Sequence, residues 1–175
     1  MQMGKLLILV RHGKAQSRDL GLVDFERELT GAGKRSLKAW LTKSGQLLAE
    51  ESVGSFELWA SPAARTMQTG NAVVKTWGKA IKAFPREPQP IQALWDGSTE
   101  EVLDLVEQST ADAIVICGHN PDIEHLCALL SGSSLRFATG GVAALRLDGG
   151  IQPGTARLLW FIQGPESRKW KKRLS

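Results

Sequence analysis

The chain has 175 residues, 42% of them apolar and 23% charged, and carries a formal net charge of +4 at pH 7. That length suits one domain with a buried core of its own, and the ordinary composition excludes a low-complexity or biased chain. Residues 1–5 lack the apolar core of a signal peptide and no run is long enough to span a membrane, so we expect a cytoplasmic protein.

Short apolar runs alternate along the chain with stretches of helical periodicity. Strands are predicted at residues 5–10, 56–60, 113–117, 142–147 and 156–162. Helices are predicted from Thr30 to about residue 48, from Ser61 to about Trp77, from Ser98 to about residue 106 and from Asn120 to about Gly132, with an extended connection at residues 79–90. The alternation predicts a single-domain, three-layer α/β/α sandwich with a mostly parallel central sheet over residues 1–165, followed by a basic tail at residues 166–175.

The predicted helix starts depend on capping residues. Thr30 and Ser98 have hydroxyl groups that can accept a hydrogen bond from the first helical turn. At residues 61–62 and 120–121, a cap residue precedes a proline at the first helical position, where the missing N–H is of no consequence.

The two cysteines, Cys117 and Cys127, both lie in apolar stretches. This placement favours buried thiols in a reducing compartment over a disulfide, and two cysteines alone make no metal-site pattern. We therefore expect both to be structural.

Two histidines follow the ends of predicted strands, where sites form in parallel sheets. His12 follows the strand at residues 5–10 and has Arg11 beside it, and His119 follows the strand at residues 113–117. Arg65 lies one turn into a helix that begins just past a third strand end. If these strands are neighbours, two imidazoles and two guanidiniums converge on one point.

Such a group of side chains suits phosphoryl transfer. The transition state spreads negative charge over three oxygens, so catalysis depends on positioning and charge stabilisation. Arginine supplies a permanent charge and a fork for two oxygens. An imidazole with an ordinary pKa of roughly 6.5 is largely neutral at pH 7 and can attack phosphorus.

A structural interpretation competes at each position taken singly. A lone histidine after a strand is usually a hydrogen-bonded fold residue, and His125, in the middle of a predicted helix, is best interpreted in that way. The functional interpretation therefore depends on the joint occurrence of His12, Arg11, Arg65 and His119.

These residues lie in three of four motifs that resemble those of the histidine phosphatase superfamily, which also includes the cofactor-dependent phosphoglycerate mutases. Residues 11–13 (Arg-His-Gly) resemble its first motif, residues 61–69 its second and residues 118–121 its third. Residues 27–30 followed by Gly33 are similar to the segment before the first helix in the short, SixA-type branch. All four occur in the order of the family between residue 6 and about residue 132.

The resemblance implies a phosphoglycerate mutase-like fold and a phosphatase in which His12 is the phosphorylated nucleophile. It implies that no metal and no cofactor are needed. The residues that it assigns to phosphate binding, with Arg27 as a helper, are Arg11, Gly13, Arg27, Arg65, His119 and Asn120.

The length of the chain and the positions of its acidic residues bear on the class of substrate. The chain has little room for the insertions that roof the site in longer relatives, and an open site suits phosphohistidine on a phosphotransfer protein or phosphocarrier, with inorganic phosphate as product. Asp96 and Glu100 lie where a proton donor for an alkoxide would be expected, but neither is in a convincing motif. An imidazole leaving group departs more readily than an alkoxide.

Three alternatives stay open. One is a phosphatase of small phosphomonoesters with Asp96 or Glu100 as the acid, and another is a catalytically idle phosphate-binding module. The third is nucleic-acid binding by the basic tail, whose Lys and Arg residues surround Trp170. A solvated tail is the better interpretation, so we expect neither a nucleic acid nor a membrane partner.

Overall fold

The computed structural model describes residues 4–163 and contains one six-stranded sheet in the order β3-β2-β4-β1-β5-β6. Its strands are β1 Lys5–Arg11, β2 Phe56–Ala60, β3 Gln89–Pro90, β4 Ala113–Gly118, β5 Val142–Leu147 and β6 Arg157–Ile162. The neighbours β3, β2, β4 and β1 pair in parallel, β5 is antiparallel to β1, and β6 is antiparallel to β5. Five of the six strands therefore run in one direction, which confirms the mostly parallel sheet.

Helices cover both faces of this sheet. They are α1 Gly31–Ala49, α2 Ala64–Trp77, α3 Ala93–Asp96, α4 Thr99–Gln108 and α5 Asp122–Ser131. Alternate residues of β1 enter two separate cores: Ile8 packs with residues of α1 and α2, whereas Leu9 packs with residues of α3, α4 and α5. Both side chains are fully buried, and each contributes roughly 1.5–3 kcal/mol by leaving water. The three-layer α/β/α sandwich is confirmed.

Two of the predicted helix starts are wrong. α2 begins at Ala64 rather than at residue 62, because the Ser61 N–H donates to the Cys117 carbonyl at 3.1 Å and so continues the sheet edge. α5 begins at Asp122, with Pro121 at the cap position and no side-chain cap bond. In both places the residue that the local sequence predicts as a cap, Ser61 or Asn120, is hydrogen-bonded to a distant residue instead.

The other two starts agree with the prediction. Thr30 caps α1, since its hydroxyl accepts from the Gly33 N–H at 2.9 Å. Ser98 occupies the cap position of α4, but its side chain accepts no capping bond. The short β3 and α3 were not predicted; they occupy the end of the proline-containing connection and the residues after it.

Both cysteines are buried free thiols, as predicted. Burial raises the pKa of Cys117 to about 12, and burial also raises the pKa of Cys127. Neither is a candidate nucleophile at neutral pH. The predicted basic tail at residues 166–175 lies outside the described residues. Among residues 4–163, no helix combines the length and the apolar character that a transmembrane span requires.

Candidate active site

The predicted histidines meet at the carboxyl edge of the sheet. Arg11 and Gly118 are partners in the β1–β4 register, and the His12 N–H continues this pairing by donating to the Gly118 carbonyl at 3.0 Å. Because His12 follows β1 and His119 follows the neighbouring strand β4, the two rings lie 5.3 Å apart, centroid to centroid. The end of β2 lies on the other side of β4.

The His12 ring is held so that one nitrogen is available as a nucleophile. Its Nδ1 lies 2.7 Å from the Gly13 carbonyl oxygen. Because a carbonyl only accepts, Nδ1 carries the hydrogen and Nε2 keeps its lone pair. Burial lowers the pKa of His12 to about 4; the hydrogen bond to Gly13 opposes this shift, and the charges of Arg65, Arg11 and Arg27 reinforce it. The imidazole is therefore neutral at physiological pH.

We expect His12 to stay mostly neutral at pH 5, where an imidazole with an ordinary pKa of roughly 6.5 is mostly protonated. Imidazole ¹⁵N spectra recorded from pH 7 to pH 3.5 would measure this, with His12→Gln to assign the resonance. The low pKa also implies that the free energy of unfolding decreases as the pH falls from about 6.5 to about 4, since only the unfolded chain takes up the proton in that range. Half-protonation of His12 near pH 6.5 would contradict this prediction.

His119 is held from the neighbouring strand. Its Nε2 lies 2.8 Å from the Ser61 hydroxyl, and its Nδ1 is buried without a hydrogen-bond partner among the described residues. Burial lowers the pKa of His119 to about 3, helped by the charges of Arg65 and His12. When the Ser61 hydroxyl donates to Nε2, Nδ1 carries the hydrogen. In that tautomer His119 has a neutral N–H donor on a ring whose centroid lies 5.3 Å from that of His12.

Asp24, which lies outside all four motifs, joins Arg65 and Arg27 through its carboxylate. Arg65, only 4% exposed, donates to the backbone carbonyl of Asp24 at 2.6 Å and to its Oδ2 at 3.0 Å. Arg27 donates to Asp24 Oδ1 at 2.6 Å and to the Gln16 carbonyl at 2.8 Å. The hydrogen bond from Arg27 lowers the pKa of Asp24 despite its partial burial, and Arg65 adds to the effect. Asp24 thus fixes two guanidiniums whose charges both act on His12.

Arg11 and Asn120 converge on one carbonyl. Arg11 donates to the Phe137 oxygen at 2.7 Å, and the Asn120 amide donates to the same oxygen at 3.2 Å and to Glu124 Oε1 at 2.9 Å. Both amide hydrogens of Asn120 are therefore engaged within the protein. The resemblance assigns Asn120 to phosphate binding, and that role stays a prediction.

Gly13 links the first motif to the second. Its N–H donates to the Thr69 hydroxyl at 3.1 Å, and that hydroxyl donates to the Arg65 carbonyl at 2.7 Å. A Cβ at Gly13 would lie 2.5 Å from Cδ1 of the fully buried Leu37. The position requires glycine because the core approaches its backbone closely.

We expect Gly13→Ala to lower the free energy of unfolding by about 1–3 kcal/mol, because the added methyl must displace Leu37 in a close-packed core. Urea unfolding would measure the loss. The matched control is Gly31→Ala at the first position of α1, where a Cβ meets only the Arg35 guanidinium, at 3.5 Å. Equal stability of the two variants would contradict the packing argument.

An aromatic contact completes the wall of the site. Trp95, at the third position of α3, packs edge-on against His119 at 5.5 Å and against Phe25 at 5.1 Å. The Arg65 guanidinium carbon lies 5.8 Å from the Trp95 ring centroid. No local pattern indicated this role, because α3 is too short to show periodicity.

The two predicted candidates for a general acid have exposed side chains. Asp96 lies at the end of α3 and accepts from Gln92 at 3.0 Å, and Glu100 lies in the first turn of α4. Within residues 4–163 neither carboxylate is hydrogen-bonded to His12 or His119, and no group of three or more His, Cys, Asp or Glu side chains is arranged to hold a metal.

No protein-family model matches this chain. An uncharacterized chloroplastic protein of Arabidopsis thaliana is 32% identical over 150 residues, which are 82% of this chain and 66% of that protein. The matched part is thus slightly under two thirds of the length of that relative.

Solved structures match more completely. A SixA protein of Agrobacterium tumefaciens aligns with a TM-score of 0.70 and 24% identity, over 91% of this chain and 98% of that one. The protein histidine phosphatase SixA in complex with tungstate aligns with a TM-score of 0.65 and 21% identity, over 91% of this chain and 97% of that one. This is the histidine phosphatase fold. A phosphoserine phosphatase of Entamoeba histolytica shares it with a TM-score of 0.56 and 16% identity, over 90% of this chain and 96% of that one.

Proposed function

We propose that this protein is a phosphohistidine phosphatase in which His12 carries the phosphoryl group between substrate and water. The observation that supports this most directly is the His12 ring, a half-buried neutral imidazole whose Nδ1–H is fixed by Gly13 and whose Nε2 lone pair is available. Arg11, Arg65 and His119 around it supply the positive charge and hydrogen-bond donors that a phosphoryl group requires.

In the first step, the Nε2 lone pair of His12 forms a bond to phosphorus. The bond between phosphorus and the imidazole nitrogen of the substrate breaks, and its electron pair stays on that nitrogen. Because the other nitrogen of the substrate ring carries a proton, the ring departs as neutral imidazole and needs no proton donor. Arg65 and the Nδ1–H of His119 would bind the equatorial oxygens, where the negative charge is spread. Arg27 acts through the carboxylate it shares with Arg65.

In the second step, a water oxygen bonds to phosphorus as the bond to His12 Nε2 breaks. The electron pair returns to Nε2, a proton of the water passes to the phosphate, and inorganic phosphate leaves. The low pKa of His12 favours this return, because the ring does not need to lose a proton before the next turnover.

The placement of the carboxylates favours phosphohistidine over a phosphate ester as the substrate. An alkoxide leaving group needs a protonated acid. Asp24 contacts the arginines of the site, but its lowered pKa keeps it ionised at neutral pH, and Asp96 and Glu100 lie on exposed helix ends. An imidazole can depart without such a donor.

Phosphate release from a histidine-phosphorylated phosphocarrier in EDTA would test the proposal, with phosphoserine and 3-phosphoglycerate as parallel substrates. We expect a kcat/KM for the phosphocarrier that exceeds the values for both esters by more than about 10²-fold. Faster hydrolysis of an ester would instead support the small-molecule phosphatase. Hydrolysis of no substrate would leave a phosphate-binding module.

A further inference from the structure

All the large apolar side chains that are exposed within residues 4–163 lie in a single loop, residues 18–26, which we call the apolar loop. Their exposed fractions are 63% for Leu20, 42% for Leu22, 63% for Val23 and 38% for Phe25. Scattered exposed apolar residues are common on protein surfaces, but a local group of this kind indicates a contact site.

The apolar loop is attached directly to the candidate active site. Asp24, in the middle of the loop, binds Arg65 through its backbone and its side chain. Phe25 packs on Trp95, which packs on His119. The base of the loop is tied by Arg27, whose Nε donates to the Gln16 carbonyl at 2.8 Å. The exposed apolar surface is therefore continuous with the wall of the phosphate pocket.

This continuity determines what kind of molecule would cover the loop. A molecule whose phosphoryl group reaches His12 must place its next atoms against the rim, and only a macromolecule extends far enough to cover Leu20, Leu22 and Val23 together with the pocket. A small phosphate ester gains nothing from these side chains. Charge does not select the partner here, since the loop and its flanks carry both signs, as in Arg18 and Asp19.

We propose that the apolar loop is a docking surface for the phosphorylated protein, and that it binds apolar side chains surrounding the phosphohistidine of that protein. This inference rests on the proposed function, which it extends from the reaction to the recognition of its substrate. The guanidiniums of the pocket bind the anionic phosphoryl group, and the loop adds affinity and orientation through apolar contact.

The test compares two substrates on three proteins. The variant Leu20→Ser/Val23→Ser removes apolar surface from the two most exposed positions, and neither residue is hydrogen-bonded to the histidines or arginines of the site. The matched control Leu20→Met/Val23→Ile keeps the surface apolar. Each protein is assayed with a histidine-phosphorylated phosphocarrier and with free phosphohistidine.

We expect the serine variant to lose about tenfold or more in kcat/KM for the phosphocarrier, mainly through KM, and to change less than about twofold for free phosphohistidine. The control variant should match the unsubstituted protein on both substrates. This pattern would separate docking from chemistry, because a disturbed pocket would impair both substrates equally.

Several results would overturn the docking role. One is an undiminished rate of the serine variant on the phosphocarrier, and another is an equal loss on both substrates. A third is self-association of the protein, measured by light scattering, that the serine substitutions abolish while phosphocarrier hydrolysis is unchanged, since the loop would then bind a second copy. Failure of the unsubstituted protein to hydrolyse either substrate would overturn the proposed function itself, and the docking role with it.

Discussion

Replacing His12 by alanine is expected to lower phosphate release from a phosphohistidine substrate by at least about 10⁴-fold, the scale of loss when a nucleophile is removed. The Nε2 lone pair is the group that would bond to phosphorus, and the other imidazole of the site, His119, is hydrogen-bonded to Ser61 through its own Nε2. Initial rates of phosphate release measure the loss.

The control for this variant is His125→Ala, which removes an imidazole from the middle of α5 and should retain activity. Urea unfolding of both variants would show that the fold is kept. Activity of His12→Ala within tenfold of the unsubstituted protein would show that His12 is not the nucleophile.

The second large effect is expected for Arg65→Lys, which keeps a positive charge but loses the planar fork. Arg65 is almost fully buried and grips both the backbone and the carboxylate of Asp24, so a lysine cannot hold Asp24 and face the phosphoryl group at the same time. We expect kcat/KM to fall by about 10²–10³-fold, as when a transition-state donor is removed.

Arg157→Lys on β6 is the matched control, because Arg157 pairs with Asp148 in an exposed position. A change in its kcat/KM of less than about twofold is expected, since exposed ion pairs contribute little. An Arg65→Lys protein as active as this control would show that a point charge is sufficient at the site, and the role assigned to the guanidinium would be wrong.

The sheet and the histidine pair could be predicted from the sequence because both depend on local signals. An uninterrupted apolar run such as residues 6–10 favours a strand buried on both faces, and the structure packs Ile8 and Leu9 into opposite cores. In a parallel sheet the residues that follow neighbouring strands must lie at one edge. Because the sheet order makes β1 and β4 neighbours, this rule brings His12 and His119 together.

What the sequence could not indicate depends on contacts between distant segments. Asp24 meets Arg65 across 41 positions of the chain, and Ser61 meets His119 across 58. Local propensity predicts helix caps at Ser61 and Asn120, but their side chains bond to His119 and to the Phe137 carbonyl instead. The one available signal for Asp24 was its place three residues before Arg27, in the segment that resembles the SixA-type branch.

The central claim is that His12 itself becomes phosphorylated, and rapid-quench trapping tests it most directly. The protein is mixed with a ³²P-labelled histidine-phosphorylated phosphocarrier in EDTA, quenched in alkali within milliseconds, and digested for peptide mapping. We predict a label that is stable in alkali, is lost in acid, and lies on the peptide containing His12. Phosphate release at full rate with no label on this peptide at any time would contradict the account, because water would then attack the substrate directly.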